Sequence, residues 1–447
     1  AAHKEQFILE HIQTASRFVR KESIMKTIKL FNRDFSMVVI GQIISLFGNA
    51  ILRFALPLYL LRETNSSVLF GTVTACSFIP MVIFSLLGGV IADRENKRNI
   101  MVVLDFFTAF IIIMFYIILG KLPLVPLMII TLMLLYGISG AYQPSVQASI
   151  PLLINSENLV RGNAVINMVS TLSSLLGPAI GGVLFQAFGL TPILIISFAC
   201  FAAAAIMEIF IHIPHQKIQG QSGIIKTLLY DLKESYQFIK NEKPVYISVV
   251  IVLALFNLVL SAAMIVGLPV MVGQILEMSD ASVGIAQSAL GLGGLVGGIL
   301  SSAVIQKLNL KDNYILLIIC SVCALFMGIA LIEMIPEAIG FWIITGMSFV
   351  TMCVSTIFTV TLFAAIQRQT PTHLLGKIMA VIIAVSNCSQ PIGQALYGIA
   401  FDSYKHMPWV IMCVSAALAL FISIYSKRVF VRLTAGEQYV ANKNMNE

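Results

Sequence analysis

Three charged residues stand inside long apolar stretches, and their side chains could bind or move an ion. They are Arg53, Asp105 and Glu208. Charge is costly in such surroundings, so a retained acid is a candidate for carrying a proton. We favour Asp105 as the proton-linked group, because it lies deeper in its stretch than Glu208. Three alternatives remain. A sodium ion could take the place of the proton, Arg53 could be the ion-linked residue, or both acids could serve only as structural hydrogen-bonding groups. Arg53 could also extend outward to water.

The segment GGVIADRENKR, residues 88–98, places a glycine pair, an acid and a basic cluster at the end of an apolar stretch. Glycines allow two helices to approach closely. An acid such as Asp93 can accept hydrogen bonds at the N-terminus of a facing helix. Basic residues suit a loop at the membrane surface.

The composition requires lipid as the solvent. Hydrophobic residues make up 58% of the 447 positions and charged residues 11%, whereas a soluble chain carries about 25% charged residues. Twelve apolar stretches are long enough to cross a bilayer as helices. They are 36–61, 68–92, 99–119, 124–148, 161–187, 190–211, 245–272, 281–304, 313–333, 338–366, 378–402 and 409–426.

The spans divide into two halves. The predicted organisation is a cytoplasmic segment 1–35, a six-helix bundle 36–211, a linker 212–244, a second bundle 245–426 and a cytoplasmic tail 427–447. Apolar residues at helical spacing predict an amphipathic helix in the linker; they are Ile225, Leu228, Leu229, Leu232, Tyr236 and Ile239. Matching glycines and prolines about 210 residues apart indicate a repeated six-span unit.

Basic residues predict the orientation. Of the 28 Lys and Arg residues, Arg62, Lys121 and Lys405 fall on one side and Arg53 lies within a span; the rest fall on the side of both termini. Both termini are therefore expected in the cytoplasm. The net charge of +7 then reflects topology, and no nucleic-acid partner is expected. A nucleotide loop, a zinc motif and a nucleophile constellation are all lacking, so we expect no enzyme activity, metal or cofactor.

The segment 88–98 resembles the loop signature of the major facilitator superfamily, G-x-L-A-D-R-x-G-R-K. Gly89, Asp93, Arg94, Lys97 and Arg98 are in register. Asn96 replaces a glycine, and asparagine tolerates the left-handed backbone that a turn can require. The resemblance implies an all-α membrane protein with twelve transmembrane helices in two six-helix bundles. It also implies that this loop gates an outward-open state.

A second motif, SLLGPAIGGVL, contains Gly177, Pro178, Gly181 and Gly182. It resembles the glycine-proline motif of exporters in the same superfamily, which implies export. A proline-kinked packing helix is the alternative.

Within the superfamily, the chain resembles bacterial macrolide-efflux-like permeases, a group that includes enterobactin exporters. FALPLYLLRETNSSVLFG, AYQPSVQASIPLL and ENLVRGNAV carry this resemblance together with the two motifs. It implies efflux driven by a proton or sodium gradient across a bacterial cytoplasmic membrane, and the favoured substrates are bulky amphipathic compounds such as macrolide-like drugs. A siderophore or lysophospholipid transporter and a transport-inactive sensor or scaffold are the alternatives. A monomer is the expected state.

The predicted substrate cavity is mostly apolar, because the spans contain few charges. It suits a bulky, largely apolar compound. Scattered polar residues are its candidate contacts: Asn49, Tyr142, Gln143, Asn257, Asn387, Gln390 and Gln394.

Overall fold

A computed structural model describes residues 31–155, 158–214, 224–304 and 309–446. These residues contain helices and no β-strand, and twelve of the helical segments are long and apolar enough to cross a membrane. The predicted all-α architecture and the number of spans are confirmed. The segment 1–30 lies outside the described residues.

The first half consists of six helices. They are α1 (Arg33–Thr64), α2 (Ser67–Arg94), α3 (Lys97–Ile118), α4 (Leu124–Leu153), α5 (Leu159–Phe188) and α6 (Leu190–Ile209). A linker helix, α7 (Ile224–Asn241), follows.

The second half contains α8 (Val245–Ile275), α9 (Asp280–Val304), α10 (Tyr314–Ile329) and α11 (Glu337–Gln369). One further span, Leu374–Ser403, is divided at Cys388 into α12 (Thr372–Asn387) and α13 (Ser389–Ser403), and α14 (Pro408–Asn446) completes the half.

Polar residues in the short connections cap the N-termini of several helices. The side chain of Asn32 accepts a hydrogen bond from the Phe35 backbone N–H at 2.8 Å, and that of Ser66 accepts one from Leu69. Asn96 caps α3 in the same way, through the backbone N–H of Arg98 at 3.1 Å. Its backbone is extended, with φ −68° and ψ 112°, so the expectation of a left-handed turn at Asn96 was wrong. A capping oxygen, which glycine lacks, is the physical reason for asparagine here.

The two halves use equivalent glycine pairs. A Cβ at Gly88 of α2 would lie 2.8 Å from Cα of Ala141 in α4, and Gly297 of α9 likewise abuts the backbone of Cys353 in α11. A Cβ at the second glycine of each pair, Gly89 or Gly298, would meet no described atom within 4 Å. The first glycine of each pair therefore allows close packing within a half, whereas Gly89 does not serve that purpose here.

The halves touch each other near one end of the bundle. We call it the distal face; it carries the connections between α1 and α2, α5 and α6, and α8 and α9. A Cβ at Gly71 of α2 would lie 2.9 Å from Cα of Gly398 in α13. One at Gly182 of α5 would lie 3.2 Å from Cα of Gly284 in α9. Two backbone crossings thus close the distal face.

Arg62 adds a polar bridge to this closure. Its guanidinium, at the end of α1, contacts Asp280 at the start of α9 with an N–O distance of 2.7 Å. It also donates to the backbone carbonyls of Gly273, at 3.1 Å, and Met278, at 2.9 Å. Arg62 of the first half therefore contacts one carboxylate and two backbone carbonyls of the second half.

The linker helix packs on the second half. Phe238 and Ile239 are buried beside α8 residues, and Lys377 of α12 forms an ion pair with Glu234 at 2.7 Å. Within the predicted apolar stripe, Ile239 is buried but Leu232 and Tyr236 are exposed. The side chains of Ile225, Leu228 and Leu229 lie outside the described residues.

The last helix is longer than the predicted span. It continues without a break to Asn446, and Val429, Phe430 and Leu433 pack against the second half. Part of the predicted tail 427–447 therefore belongs to the helical bundle, because apolar residues continue to recur beyond position 426.

Replacing Gly182 with alanine is expected to open the distal face. The added Cβ would lie 2.7 Å from the carbonyl oxygen of Asp280, and backbone cannot move aside as a flexible side chain can. Overpacking of this kind costs about 1–3 kcal/mol. Paramagnetic labels at exposed Lys121 and Glu333, one in each half, should report a longer distance in a cysteine-free background. Gly346→Ala is the matched control, because its Cβ would meet no described atom. An unchanged distance in Gly182→Ala would contradict the assigned crossing.

Arg62→Gln and Asp280→Asn are expected to differ in severity. The first removes three polar contacts between the halves, whereas the second removes one ion pair that is partly exposed to solvent. Exposed ion pairs contribute about 0.2–1 kcal/mol. The same label pair should therefore show a larger open population for Arg62→Gln. Equal effects would mean that the backbone bonds of Arg62 contribute nothing to closure.

Candidate functional site

Two cavities are lined by residues of both halves, and a third is lined by α8, α9 and α11 of the second half alone. Their volumes are about 140, 410 and 730 Å³, and Leu290 of α9 lines all three. The largest follows α5 from Pro178 to Ala164, away from the distal face. The smallest lies between α1, α2, α4, α8 and α9, on the side of the distal crossings. Together they form what we call the central cavity.

The central cavity is apolar, with a few polar groups. Asn257, predicted as a contact, lines it, and its amide donates to Oδ1 of Asn387 at 3.2 Å. Gln390 and Gln394 are buried in α13, where the backbone of Gln394 adjoins Gly71.

Asn49, Gln143 and Tyr142 line none of these three cavities. Asn49 and Gln143 are half-buried. Tyr142 is buried inside the first half, bound to two other helices, which removes it from the predicted set of cavity contacts.

Arg53 is half-buried and borders the central cavity. It lines the smallest cavity, and its guanidinium carbon lies 3.7 Å from the ring centroid of Tyr136 in α4. Its Nη2 is 4.0 Å from Sδ of Met81. In the described part of the chain, no carboxylate lies within 4 Å of its guanidinium. A stacked arginine with free N–H groups can bind an electron-rich ligand atom.

The two buried acids belong to one polar cluster within the first half. Tyr142 of α4 donates to Oε1 of Glu208 in α6 at 2.7 Å and accepts from Nε2 of Gln42 in α1 at 2.7 Å. Ser45, one turn further along α1, donates to Oδ1 of Asp105 in α3 at 3.4 Å. Four helices thus converge on Asp105 and Glu208, which are 2% and 1% exposed. The sequence predicted these acids separately, and the structure brings them together.

Three oxygens of this cluster remain without a partner among the described residues. They are Oδ2 of Asp105, Oε2 of Glu208 and Oε1 of Gln42. Buried oxygen atoms without donors are costly, and a proton or a small hard cation would satisfy them. No residue of the cluster lines the three cavities, so ion and substrate would occupy separate places.

Two helices of the second half are irregular where they meet. Helix α8 has π-helical turns at Asn257–Ser261, Ala263–Gly267 and Met271–Ile275. Opposite the first, the α12–α13 junction is bridged by Ser389, whose hydroxyl donates to the carbonyl of Ala254 at 2.7 Å. Turns of this kind recur at functional sites and mark places where a helix can change shape.

The predicted gating motif lies on the face opposite the distal one. Arg98 donates to Oδ1 of Asn99 and, at 3.4 Å, to the carbonyl of Ile209 at the end of α6. Lys97 is half-buried at the start of α3. The side chains of Asp93 and Arg94 lie outside the described residues, and Gly89 faces open space.

The predicted exporter motif has two different neighbours. Gly177 abuts Ala50, and a Cβ at Gly181 would lie 3.0 Å from Cδ1 of Phe54; both partners are in α1. The carbonyl of Pro178 and the backbone of Gly182 instead face α9 of the other half. The motif therefore brings α5 into close contact with α1 on one side and with α9 on the other.

Several residues of these sites were not predicted. Gln42, Ser45 and Tyr136 are ordinary polar or aromatic residues in apolar helices, and Arg62 was counted only as a topology signal. Arg62 and Asp280 each adjoin a short connection at the same predicted face, so that shared position was the available signal.

Relatives of this chain include efflux proteins. It is 25% identical over 413 residues to macrolide efflux protein A of Streptococcus pyogenes, covering 87% of this chain and 94% of the relative. It is 22% identical over 396 residues to the enterobactin exporter EntS of Salmonella typhimurium, covering 84% and 86%.

Solved structures share the fold. The nucleoside transporter NupG superposes with a TM-score of 0.69 at 13% identity, over 91% of this chain and 99% of NupG. A bacterial homologue of the iron transporter ferroportin gives 0.64 at 16% identity, over 90% and 98%. The Major Facilitator Superfamily model matches residues 38–394. With twelve spans and membrane-transporter relatives, the chain belongs to the Major Facilitator Superfamily.

Proposed function

We propose that this transporter is an ion-gradient-driven exporter of bulky amphipathic compounds, macrolide-like drugs among them. The observation that carries the proposal is the central cavity, which lies between two halves that touch at the distal face. Its largest part, about 730 Å³, is in the range of drug-sized sites. The efflux relatives support the direction of transport.

Alternating access supplies the mechanism. With both termini in the cytoplasm, the distal face is extracellular and the present arrangement would load substrate from the cytoplasmic side. Release would require the crossings at Gly71 and Gly182 to part and the opposite face to close. Gly89 and Gly298, which now face open space, are placed to form the corresponding contacts.

Coupling is assigned to the cluster around Asp105 and Glu208. A proton on either carboxylate removes a charge that the surrounding helices otherwise have to hold without a cation. Tyr142 is the other titratable group in the cluster, and Gln42 and Ser45 complete it. Since helix α1 carries Gln42, Ser45, Arg53 and Arg62, a change in the cluster can act on both the cavity and the distal bridge through one continuous helix. Sodium is the alternative coupling ion.

The function is tested first by export. Expression in an efflux-deficient bacterium, with a resistance screen across macrolides, dyes and siderophore precursors, should identify compounds that the protein removes. A protein that binds such compounds yet moves none of them, in cells or in proteoliposomes with imposed proton and sodium gradients, would be a sensor or scaffold. If the protein exports only a siderophore or only a lysophospholipid, it is a transporter of that compound and not of macrolide-like drugs.

Asp105→Asn is expected to uncouple transport from the pH gradient. The amide cannot carry the exchanged proton, although it keeps the shape and one hydrogen-bonding oxygen of the acid. In proteoliposomes, the variant should still exchange substrate down its own gradient but should no longer concentrate it when a pH gradient is imposed. Glu208→Gln is the matched comparison. If Asp105→Asn still responds to the gradient while Glu208→Gln does not, Glu208 is the coupling acid.

Asp93→Asn is expected to slow transport without preventing folding. We propose that the carboxylate binds a helix N-terminus when the cytoplasmic face closes, and a charge-assisted hydrogen bond of this kind contributes about 1.5–3 kcal/mol. Its loss should reduce the closed population roughly tenfold or more. Substrate flux and melting temperature, measured together, check this. Wild-type flux would remove Asp93 from the gate.

A further inference from the structure

We infer that Arg53 and the smallest part of the central cavity form a subsite for an anionic group, so that the preferred substrates are amphipathic anions. This rests on the proposed transport function and narrows its substrate class to anions, so macrolide-like compounds that carry a basic amine are not the preferred substrates. The subsite would take a carboxylate, sulfonate, phosphate or phenolate head group. The apolar remainder of the compound would lie in the larger part of the cavity.

The first support is the isolation of the charge. Arg53 is the one charged side chain among the described residues that line the three cavities. An unpaired cation inside the membrane is costly, and such residues pair with other charges or mark a ligand path. Asp105 and Glu208 do not serve as its partner, because no described carboxylate lies within 4 Å of its guanidinium.

The second support is how Arg53 is held. The face of its guanidinium stacks on Tyr136, at 3.7 Å from the ring centroid. Stacking uses the face and leaves the N–H edge available, because the donors lie in the plane of the group. Within the described residues, its one polar contact is a long approach to Sδ of Met81, a weak acceptor. The side chain is therefore fixed in place while its strong donors remain unused.

The third support is the space in front of it. The adjoining cavity has a volume of about 140 Å³ and is walled by apolar residues, with Thr74 and Gln287 as further polar side chains. A cavity of about 150 Å³ accommodates a benzene ring, so a single acidic head group fits. Low-dielectric walls strengthen the attraction between a guanidinium and an anion and penalise a cation.

The position of the subsite links binding to gating. Phe54 and Val283 line the same cavity, and Val283 is one residue from Gly284 at the α5–α9 crossing. An anion on Arg53 would therefore lie directly beneath the distal closure. Its arrival would neutralise a charge next to the contact that has to open for release.

The test uses two dyes with one ring system and opposite charge. Fluorescein is an anion at neutral pH, and rhodamine 123 is a cation. Each is titrated by fluorescence anisotropy against the purified full-length protein in phosphatidylcholine nanodiscs, with empty nanodiscs subtracted. The wild type should bind fluorescein more tightly. Arg53→Gln should weaken fluorescein binding about ten- to one-hundred-fold and leave rhodamine 123 binding unchanged or stronger.

Controls separate a lost charge from a lost fold. Arg53→Lys keeps the charge without the planar fork, so it should retain a preference for fluorescein at lower affinity. Arg432→Gln makes the same chemical change at an exposed position of α14 and should leave both affinities unchanged. Equal weakening of both dyes in Arg53→Gln, wild-type preference for rhodamine 123, or binding of neither dye would overturn the subsite.

Failure of transport has a different signature. If the wild type shows the anion preference and Arg53→Gln abolishes it, but no gradient moves fluorescein or any compound of the resistance screen in proteoliposomes, the proposed export function is wrong and the subsite stands. If gradients move rhodamine 123 and not fluorescein, export stands and the anion subsite is overturned.

Discussion

Lipid gives two transmembrane helices no hydrophobic reason to associate, so contact between the halves depends on close van der Waals approach of their backbones. Glycines provide that approach at two crossings near the distal face, Gly71 with Gly398 and Gly182 with Gly284, and again two turns further along, where Gly291 of α9 meets the backbone of Leu175 in α5. Beyond these contacts, toward the opposite face, a Cβ at Gly298 would meet no described atom within 4 Å, and the largest part of the central cavity lies there between α5 and α9. Arg62 bridges the same closure through three polar contacts. The cavity, its accessibility and its gate therefore all follow from where these glycines stand.

Ionisable groups are divided between two environments. The carboxylates of Asp105 and Glu208 lie inside the first half, where four helices supply their neighbours. Arg53 lies instead at the interface, against Tyr136 and the cavity. In our proposal, this separation lets a coupling ion and a substrate bind without sharing ligands. Helix α1 contributes to both environments, which makes it the physical connection between them.

Sequence patterns predicted the number of spans, because each span needs a long apolar stretch that lipid requires and water would reject. They also located Asp105, Glu208 and Arg53, since a charge stands out in such a stretch. They did not predict that Tyr142 forms a hydrogen bond with Glu208 or that Arg53 stacks on Tyr136. Those contacts depend on how far each helix is rotated against its neighbours, and hydrophobicity that is nearly uniform around a helix leaves its rotation unspecified. For the same reason, the motif alone did not show that Gly181 faces α1 whereas Gly182 faces α9.

Gln394 shows why the distal closure can be temporary. Its side chain is fully buried in α13, close to the crossing with Gly71, and neither its Nε2 nor its Oε1 has a partner among the described residues. A buried polar group without a partner costs about 1–3 kcal/mol. In our proposal, separation of α2 from α13, whose backbones meet at the carbonyl of Gln394, gives this amide access to water and recovers that cost. Glycine contacts favour the closed state and the amide opposes it, so the two states differ by less than the contacts alone would dictate. A transporter that must open and close at ordinary temperature needs such a small difference.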